Sequence, residues 1–377
     1  MKQQPDIRPI PRHLSMAGAN QRPNIHGRAA AVQPDNPYLR TLQVDDFEHV
    51  AEDAEYLDAL DRPPTQYLDD QSQTIVATND SPDVGFNYSV NPYRGCSHGC
   101  SYCYARPGHE YLGMSAGIDF ETKIMVKRRA PELLRQFLAR PKWNAETIVF
   151  SGVTDCYQPA EREFKLTRGC LEVLAECRQP VGLITKNALI TRDVDLLQEL
   201  AAHLAVRVAI SVTTLDQSLV RVMEPRTSAP VARLRAIETL AKAGIPTNVM
   251  IGPIIPGLTD SEVPAILKAA SEAGAIGVHH TILRLPTTVK DVFLDWIARQ
   301  RPNHAAKVEA FVRAARGGKL NTPEFGKRMR GTGPLVDQIE QTLRVFTKRF
   351  GLDGGGPPLS NKSFRPPRIA GEQLPLF

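Results

Sequence analysis

The chain has 377 residues, 42% of them hydrophobic and 23% charged, with a net charge of +5. That balance excludes a wholly disordered polymer, and the length accommodates two or three domains, or one α/β barrel of about 200–250 residues with extensions. No apolar run reaches the ~18 residues of a membrane span, and the opening MKQQPDIRPIPRHL lacks a secretory apolar core, which predicts a cytoplasmic protein with no membrane attachment.

Residues 1–40 are rich in Pro, Arg, Asn and Gln and read as a flexible arm, with residues 44–61 suited to a short acidic helix. Residues 1–80 are therefore assigned to an N-terminal arm and acidic segment. Period-two alternation then predicts strands at Phe86–Val90, Thr147–Ser151, Val181–Lys186, Val206–Val212, Thr247–Ile251 and Ile276–Leu283. Helical spacing predicts helices at Ala130–Ala139, Glu161–Cys177, Arg192–Leu204, Val231–Ala243 and Glu262–Ala273. Six strands alternating with helices imply parallel pairing through right-handed crossovers. No Gly-x-Gly-x-x-Gly fingerprint follows the first strand, so the pattern favours a partial (β/α)6 barrel over residues 84–286. Two or three helices follow as a C-terminal extension over 287–352. A Gly/Pro/Arg stretch from 353 onward predicts a flexible tail. Residues 299–368 hold fifteen Lys/Arg against five acids, which is either a solvated face or a footprint for a polyanion such as DNA.

The most informative segment is Asn91–Arg106, NPYRGCSHGCSYCYAR, directly after the first strand. Cys96, Cys100 and Cys103 can hold three irons of a 4Fe–4S cluster and leave the fourth open to a non-protein ligand. The alternative is a structural zinc site with His98 or His109 as fourth ligand. Cys170 and Cys177, seven apart on one helical face, read as core. His279 and His280 point to opposite faces of a strand, so at most one can face the barrel interior.

The Cys-x3-Cys-x-Tyr-Cys spacing resembles that of the radical S-adenosylmethionine (SAM) enzymes. The resemblance continues through TDCYQPAE after strand two, TKN after strand three, ISVTTLD after strand four and GPIIPGLTDSE after strand five. Together these motifs resemble the spore-photoproduct-lyase-like branch, also termed DNA-repair-photolyase-like. The resemblance implies a 4Fe–4S cluster on Cys96, Cys100 and Cys103 whose open iron chelates S-adenosyl-L-methionine. It implies one-electron cleavage of SAM to methionine and a 5′-deoxyadenosyl radical, with an electron donor such as flavodoxin or ferredoxin.

By the same resemblance Tyr102 lies beside the adenine, Thr154 and Asp155 meet the SAM ammonium, and Lys186 approaches its carboxylate. Ser211 and Thr213 meet the ribose, Arg226 offers a fork to a carboxylate or phosphate, and Gly252, Ile254 and Gly257 bring backbone close to the adenine. The placement of these motifs at strand C-termini, where barrel chemistry gathers, is independent of the family. Ordinary structural readings also exist: Ser211 satisfying the strand end, Glu224 and Arg226 pairing at the surface, Asp155 capping a helix. Cys156 is a candidate hydrogen-atom donor or a small buried thiol. The function is expected to be radical SAM chemistry on DNA, with modification of a protein or small molecule, or a non-catalytic metal-binding role, as alternatives. The last residues, Gln373, Leu374, Pro375, Leu376 and Phe377, resemble the Gln-Leu-x-Leu-Phe peptides that bind the bacterial sliding clamp.

Overall fold

The computed structural model describes residues 25, 27–39 and 63–368; the predicted acidic helix and the Gln373–Phe377 peptide lie outside them. Six parallel strands form the scaffold: β3 (Tyr88–Val90), β6 (Ile148–Phe150), β7 (Val181–Thr185), β8 (Val206–Ser211), β9 (Thr247–Ile254) and β10 (Val278–Ile282). They lie side by side in the order β10-β9-β8-β7-β6-β3, as the expected partial barrel requires. β2 (Val76–Thr78) adds an antiparallel strand at the β3 edge. A second sheet, in the order β1-β5-β4, joins β1 (Gln66–Asp69), β5 (Lys123–Val126) and β4 (Tyr93–Arg94). β4 runs straight into the cysteine motif, so this sheet fixes where that loop begins.

The strands follow from their side chains. Val181, Leu183 and Thr185 of β7 are buried, with Gly182 and Ile184 between them only half-buried. The outer layer contains α2 (Ala130–Leu138), α4 (Leu166–Cys177), α5 (Val194–Ala202), α7 (Pro230–Lys242) and α8 (Val263–Glu272), numbered after α1 (Ile118–Thr122) and α3 (Glu161–Phe164). Their apolar faces and the sheet enclose the main core, which includes Cys170 and Cys177. The predicted helix Glu161–Cys177 is broken at Lys165, whose φ of 51° is left-handed. Buried Glu161 explains the break: its carboxylate accepts from Thr167 N (2.9 Å) and Arg168 N (3.3 Å) and so starts α4 anew.

The sequence reading missed α6 (Gln217–Met223), whose first turn is capped by Asp216 accepting from Ser218 N (2.7 Å) and Leu219 N (3.2 Å). The extension forms α9 (Val289–Gln300), α10 (Pro302–Ala314) and α11 (Pro334–Arg349). α9 and α10 bury Phe293, Trp296, Val308 and Val312 with Cys100, Tyr102, Leu219 and Met223 in a second core. The cysteine loop is thus roofed by the extension. Among the described residues no helix is long and apolar enough to cross a membrane.

Two segments read as flexible are fastened where they are described. Ala29, Ala30 and Ala31 are buried, and Arg28 donates to Glu121 O (2.7 Å) and Pro63 O (3.0 Å). In the supposed tail, Gly355 N, Ser360 N and Arg365 N donate to Ile276 O (3.1 Å), Leu204 O (2.9 Å) and Cys177 O (2.9 Å). Residues 353–368 therefore bind carbonyls at the C-terminus of α4 and just after α5, and before β10, which helices and turns otherwise leave open. Truncation after Leu352 should cost about 2–4 kcal/mol at ~1 kcal/mol per bond lost. Urea unfolding, compared with truncation after Arg368, measures this; equal midpoints would mean the segment is as loose as its composition suggests.

Candidate functional site

The cysteine loop begins at Gly95 and turns again at Gly99, both left-handed, with φ of 76° and 66°. At Gly95 a Cβ would lie 2.7 Å from the His109 ring, and at Gly99 2.6 Å from the Glu121 carboxylate, so side chains are excluded sterically as well as conformationally. Cys96 N donates to Phe120 O (2.9 Å) and Ser101 N to Met223 O (3.0 Å). Arg106 wraps the loop from within: Nη2 and Nε donate to Cys100 O at 2.8 and 3.1 Å, and Nη2 also meets Glu121 Oε1 at 2.6 Å. It is fully buried.

Cys96, Cys100 and Cys103 are free thiols, and burial pushes all three up. Both histidines of the zinc alternative are occupied. His98 Nδ1 lies 3.4 Å from Asp155 Oδ2 while Nε2 meets Asn187 Nδ2 at 3.2 Å, and His109 Nε2 meets Lys123 O at 2.9 Å. A soft three-thiolate donor set without a fourth protein ligand suits a cluster. Ser101 adds a fully buried hydroxyl without a partner among the described residues inside this loop. These residues fit a 4Fe–4S group.

Two carboxylates, Glu224 fully buried and Asp155 partly so, connect the loop to the strand ends. Asp155, after β6, accepts from Thr185 Oγ1 (2.8 Å), Lys186 N (2.8 Å) and Tyr157 N (2.9 Å), and faces His98. Burial pushes its carboxyl up, but His98 and these donors outweigh that and hold it below the usual range. Glu224, after α6, takes Tyr102 Oη, Thr213 Oγ1 (2.7 Å) and the Arg233 guanidinium. Burial opposes its charge, yet Arg233 and Lys186, with the two hydroxyls, hold its pKa down at about 2.

The amine of Lys186 donates to Ser211 Oγ (2.7 Å) and Gly252 O (3.0 Å) and stands 5.8 Å from the Tyr102 ring centre. Tyr102, Asp155, Lys186, Ser211, Thr213 and Gly252, drawn from five separate segments, thus meet at one end of the barrel.

Other expected residues stand elsewhere. Thr154 donates its hydroxyl to Tyr93 O (2.6 Å), which fixes the start of the motif. The side chain of Ile254 is buried in the main core. Gly257, with φ of 82°, faces the Phe311 ring, which a Cβ would approach to 3.0 Å, so its lack of a side chain serves the packing of α10. Glu224 pairs with Arg233 inside the protein and not with Arg226 at the surface. Arg226 turns to the N-terminal segment, donating to Gly27 O (3.3 Å) and Thr65 Oγ1 (3.2 Å). Cys156 is fully buried in the main core, and burial pushes its thiol far up. Arg233 went unrecognised, because no local spacing links it, on α7, to Tyr102, while Arg106 and Asn187 were read only as members of their motifs.

Comparison with known proteins agrees with this geometry. Residues 90–270 match the radical SAM superfamily. A protein of Mycobacterium tuberculosis (strain H37Rv), described as uncharacterised, is 40% identical over 254 residues, 67% of this chain and 74% of the relative. The chain belongs to the radical SAM superfamily. Membership carries a 4Fe–4S cluster and SAM as cofactors. An uncharacterised protein of Methanocaldococcus jannaschii is 32% identical over 178 residues, 47% of this chain and 64% of the relative. A solved spore photoproduct lyase variant with AdoMet and dinucleoside spore photoproduct bound shares the fold, with TM-score 0.55 and 16% identity over 84% of this chain and 86% of that one.

The Glu224–Arg233 pair generates a double-mutant test. Arg233→Met, which leaves a buried carboxylate unpaired, should destabilise the protein by about 3–5 kcal/mol in urea unfolding, and Glu224→Gln/Arg233→Met should recover much of that. Because the folded pKa of about 2 lies below the ordinary 4.5, Glu224's contribution is complete above pH 4.5 and fades as pH falls toward 2. Equal losses in the single and double variants would deny the coupling.

Proposed function

We propose that this radical SAM enzyme acts on DNA in the cytoplasm, in a lyase-like repair reaction. The observation that carries the SAM part is the convergence of Lys186, Ser211, Gly252 and Tyr102 beside the three free cysteines. Cys96, Cys100 and Cys103 would hold the cluster, which when bound supplies the electron for reductive cleavage of SAM. The chain's own residues supply position. Glu224 fixes the Tyr102 ring through its hydroxyl, and Asp155 fixes the backbone N–H of Lys186. Lys186, held between Ser211 and Gly252, presents a cation to a carboxylate. The second core keeps water from the loop.

Three features support a DNA substrate: the excess of fifteen Lys/Arg over five acids in residues 299–368, the fold shared with spore photoproduct lyase, and the C-terminal sequence. The buried position of Cys156 argues that any hydrogen atom returned to a product comes from another group. Flavodoxin or ferredoxin is the proposed electron donor.

Anaerobic reconstitution with SAM and dithionite, assayed for 5′-deoxyadenosine with and without damaged DNA, tests this reading. Alanine at Cys96, Cys100 or Cys103 should abolish iron, sulfide and SAM cleavage together. Lys186→Ala should keep the iron and weaken SAM binding about 10- to 100-fold, the worth of a charged hydrogen bond. Purified protein with one zinc and no sulfide would defeat the cluster assignment, and unchanged SAM affinity would defeat that of Lys186.

The proposed delivery partner is the bacterial sliding clamp, engaged by Gln373, Leu374, Leu376 and Phe377. A five-residue motif with three large apolar residues buries little area, so micromolar or weaker affinity is expected, raised by tethering to an oligomeric ring. Titration of the C-terminal peptide against purified clamp should show binding that Leu376→Ala/Phe377→Ala removes. Equal signals from both peptides would cut this link.

A further inference from the structure

The barrel sheet is open between β10 and the β2–β3 edge, and residues 316–333 bridge that opening. Ile282 N donates to Met329 O (3.1 Å) and Leu285 N to Leu320 O (3.1 Å). Buried Arg316 ties both sides of the β10 junction, donating to Lys327 O (2.9 Å), Arg328 O (2.8 Å), Ile282 O (2.8 Å) and Leu283 O (3.0 Å). Across the opening, Asp83 accepts from Gly326 N (2.6 Å) and from the Arg328 guanidinium, which also reaches Ser81.

This fastening displays aromatic rings that a folded protein would ordinarily bury. Phe325 is 57% exposed and Tyr104, directly after Cys103, is 46% exposed. Each is backed by a guanidinium: Arg328 lies 4.6 Å from the Phe325 centroid and Arg284 lies 5.4 Å from that of Tyr104. Tyr104 is further fixed by donating to Gly152 O (2.7 Å), beside exposed Val153. The rings are thus held on the surface rather than left there by a loose chain. Residues 316–330 carry Arg316, Lys319, Lys327, Arg328 and Arg330 against Glu324 alone. Of these, Lys319, Lys327 and Arg330 are exposed.

We propose that Tyr104 and Phe325 form a stacking platform for unpaired bases of a single-stranded DNA segment, whose phosphates meet Lys319, Lys327 and Arg330. The assignment rests on the DNA reading above and names how the strand is held. Aromatic faces interleaved with cations suit bases and phosphates in alternation, and a base pair inside a duplex hides the faces that such rings need. An acidic peptide would meet the cations but leave the rings unexplained. A base on Tyr104 sits next in sequence to the last cysteine, so this platform brings the strand to the mouth of the site.

The test is fluorescence anisotropy of the anaerobically reconstituted full chain with a labelled oligothymidylate of about 12 nucleotides, within the usual single-strand site sizes, and with the matching duplex, at two salt concentrations. Single-strand binding tighter than duplex binding is expected. Phe325→Ala and Tyr104→Ala should each weaken it about 5- to 150-fold with little change in salt slope, the worth of one stacked base. Lys327→Ala/Arg330→Ala should instead lower the salt slope. Phe325→Trp should bind as tightly as Phe and show quenched tryptophan emission on titration, a signature that a merely structural residue would not give. Salt-dependent DNA binding that is unchanged in both alanine variants overturns the platform and spares the DNA reading. Absence of binding to either DNA overturns both.

Discussion

Three thiolates in a loop with two left-handed glycines cannot hold their own geometry, and the carboxylates of Glu224 and Asp155 hold it for them. Each reaches from a segment after one strand or helix to the loop and to the next strand end. Glu224 takes Tyr102 from the loop, Thr213 from beyond β8 and Arg233 from α7. Asp155 takes Thr185 from β7 and Lys186 just after it, and faces His98 in the loop. A buried ion pair often adds little net stability over an apolar substitute, because desolvation offsets attraction. Its effect here is specificity: a carboxylate with several directional donors has one arrangement that satisfies them all, and that arrangement places Tyr102 beneath Lys186.

The scaffold was legible because period-two alternation and helix punctuation act locally. All six parallel strands stand within a few residues of their expected bounds, and the site motifs meet because each ends a strand of the same parallel sheet. What escaped depends on contacts distant in sequence. The helix break at Lys165 comes from the turned-back carboxylate of Glu161, and propensity carries no record of it. The partner of Glu224 is Arg233, nine residues along and across a turn, while the adjacent Arg226 serves the N-terminal segment. Gly257 packs against Phe311, a contact the sequence reading did not name, since a glycine in sequence announces close approach without saying to what.

Composition misled most where segments are polar yet fixed. Residues 353–368 have the Pro, Gly and Arg content of a linker, and residues 27–33 belong to the Pro-, Arg-, Asn- and Gln-rich stretch 1–40. Both are fastened by hydrogen bonds to the rest of the fold: Ala30 N and the Arg28 guanidinium donate to Glu121, and the backbone N–H groups of Gly355, Ser360 and Arg365 donate to carbonyls at helix and strand ends. Such segments need no apolar periodicity, because what they contribute is polar satisfaction.

These fixed segments complete the enclosure of the site. Residues 27–31 lie against the cysteine loop, with Ala29 packed in the same core as Cys100 and Tyr102. Helices α9 and α10 cover that core from another side. The bridge at 316–333 spans the open edge of the barrel through Asp83 and Arg328. A barrel of six strands has a gap by construction, and here the gap is neither closed by a strand nor left wide. It is crossed by a loop pinned at both ends that leaves Phe325 exposed. Enclosure of the cysteine loop and exposure of the rings therefore have one origin. The extension that roofs the loop through α9 and α10 also carries, between α10 and α11, the segment that bridges the opening.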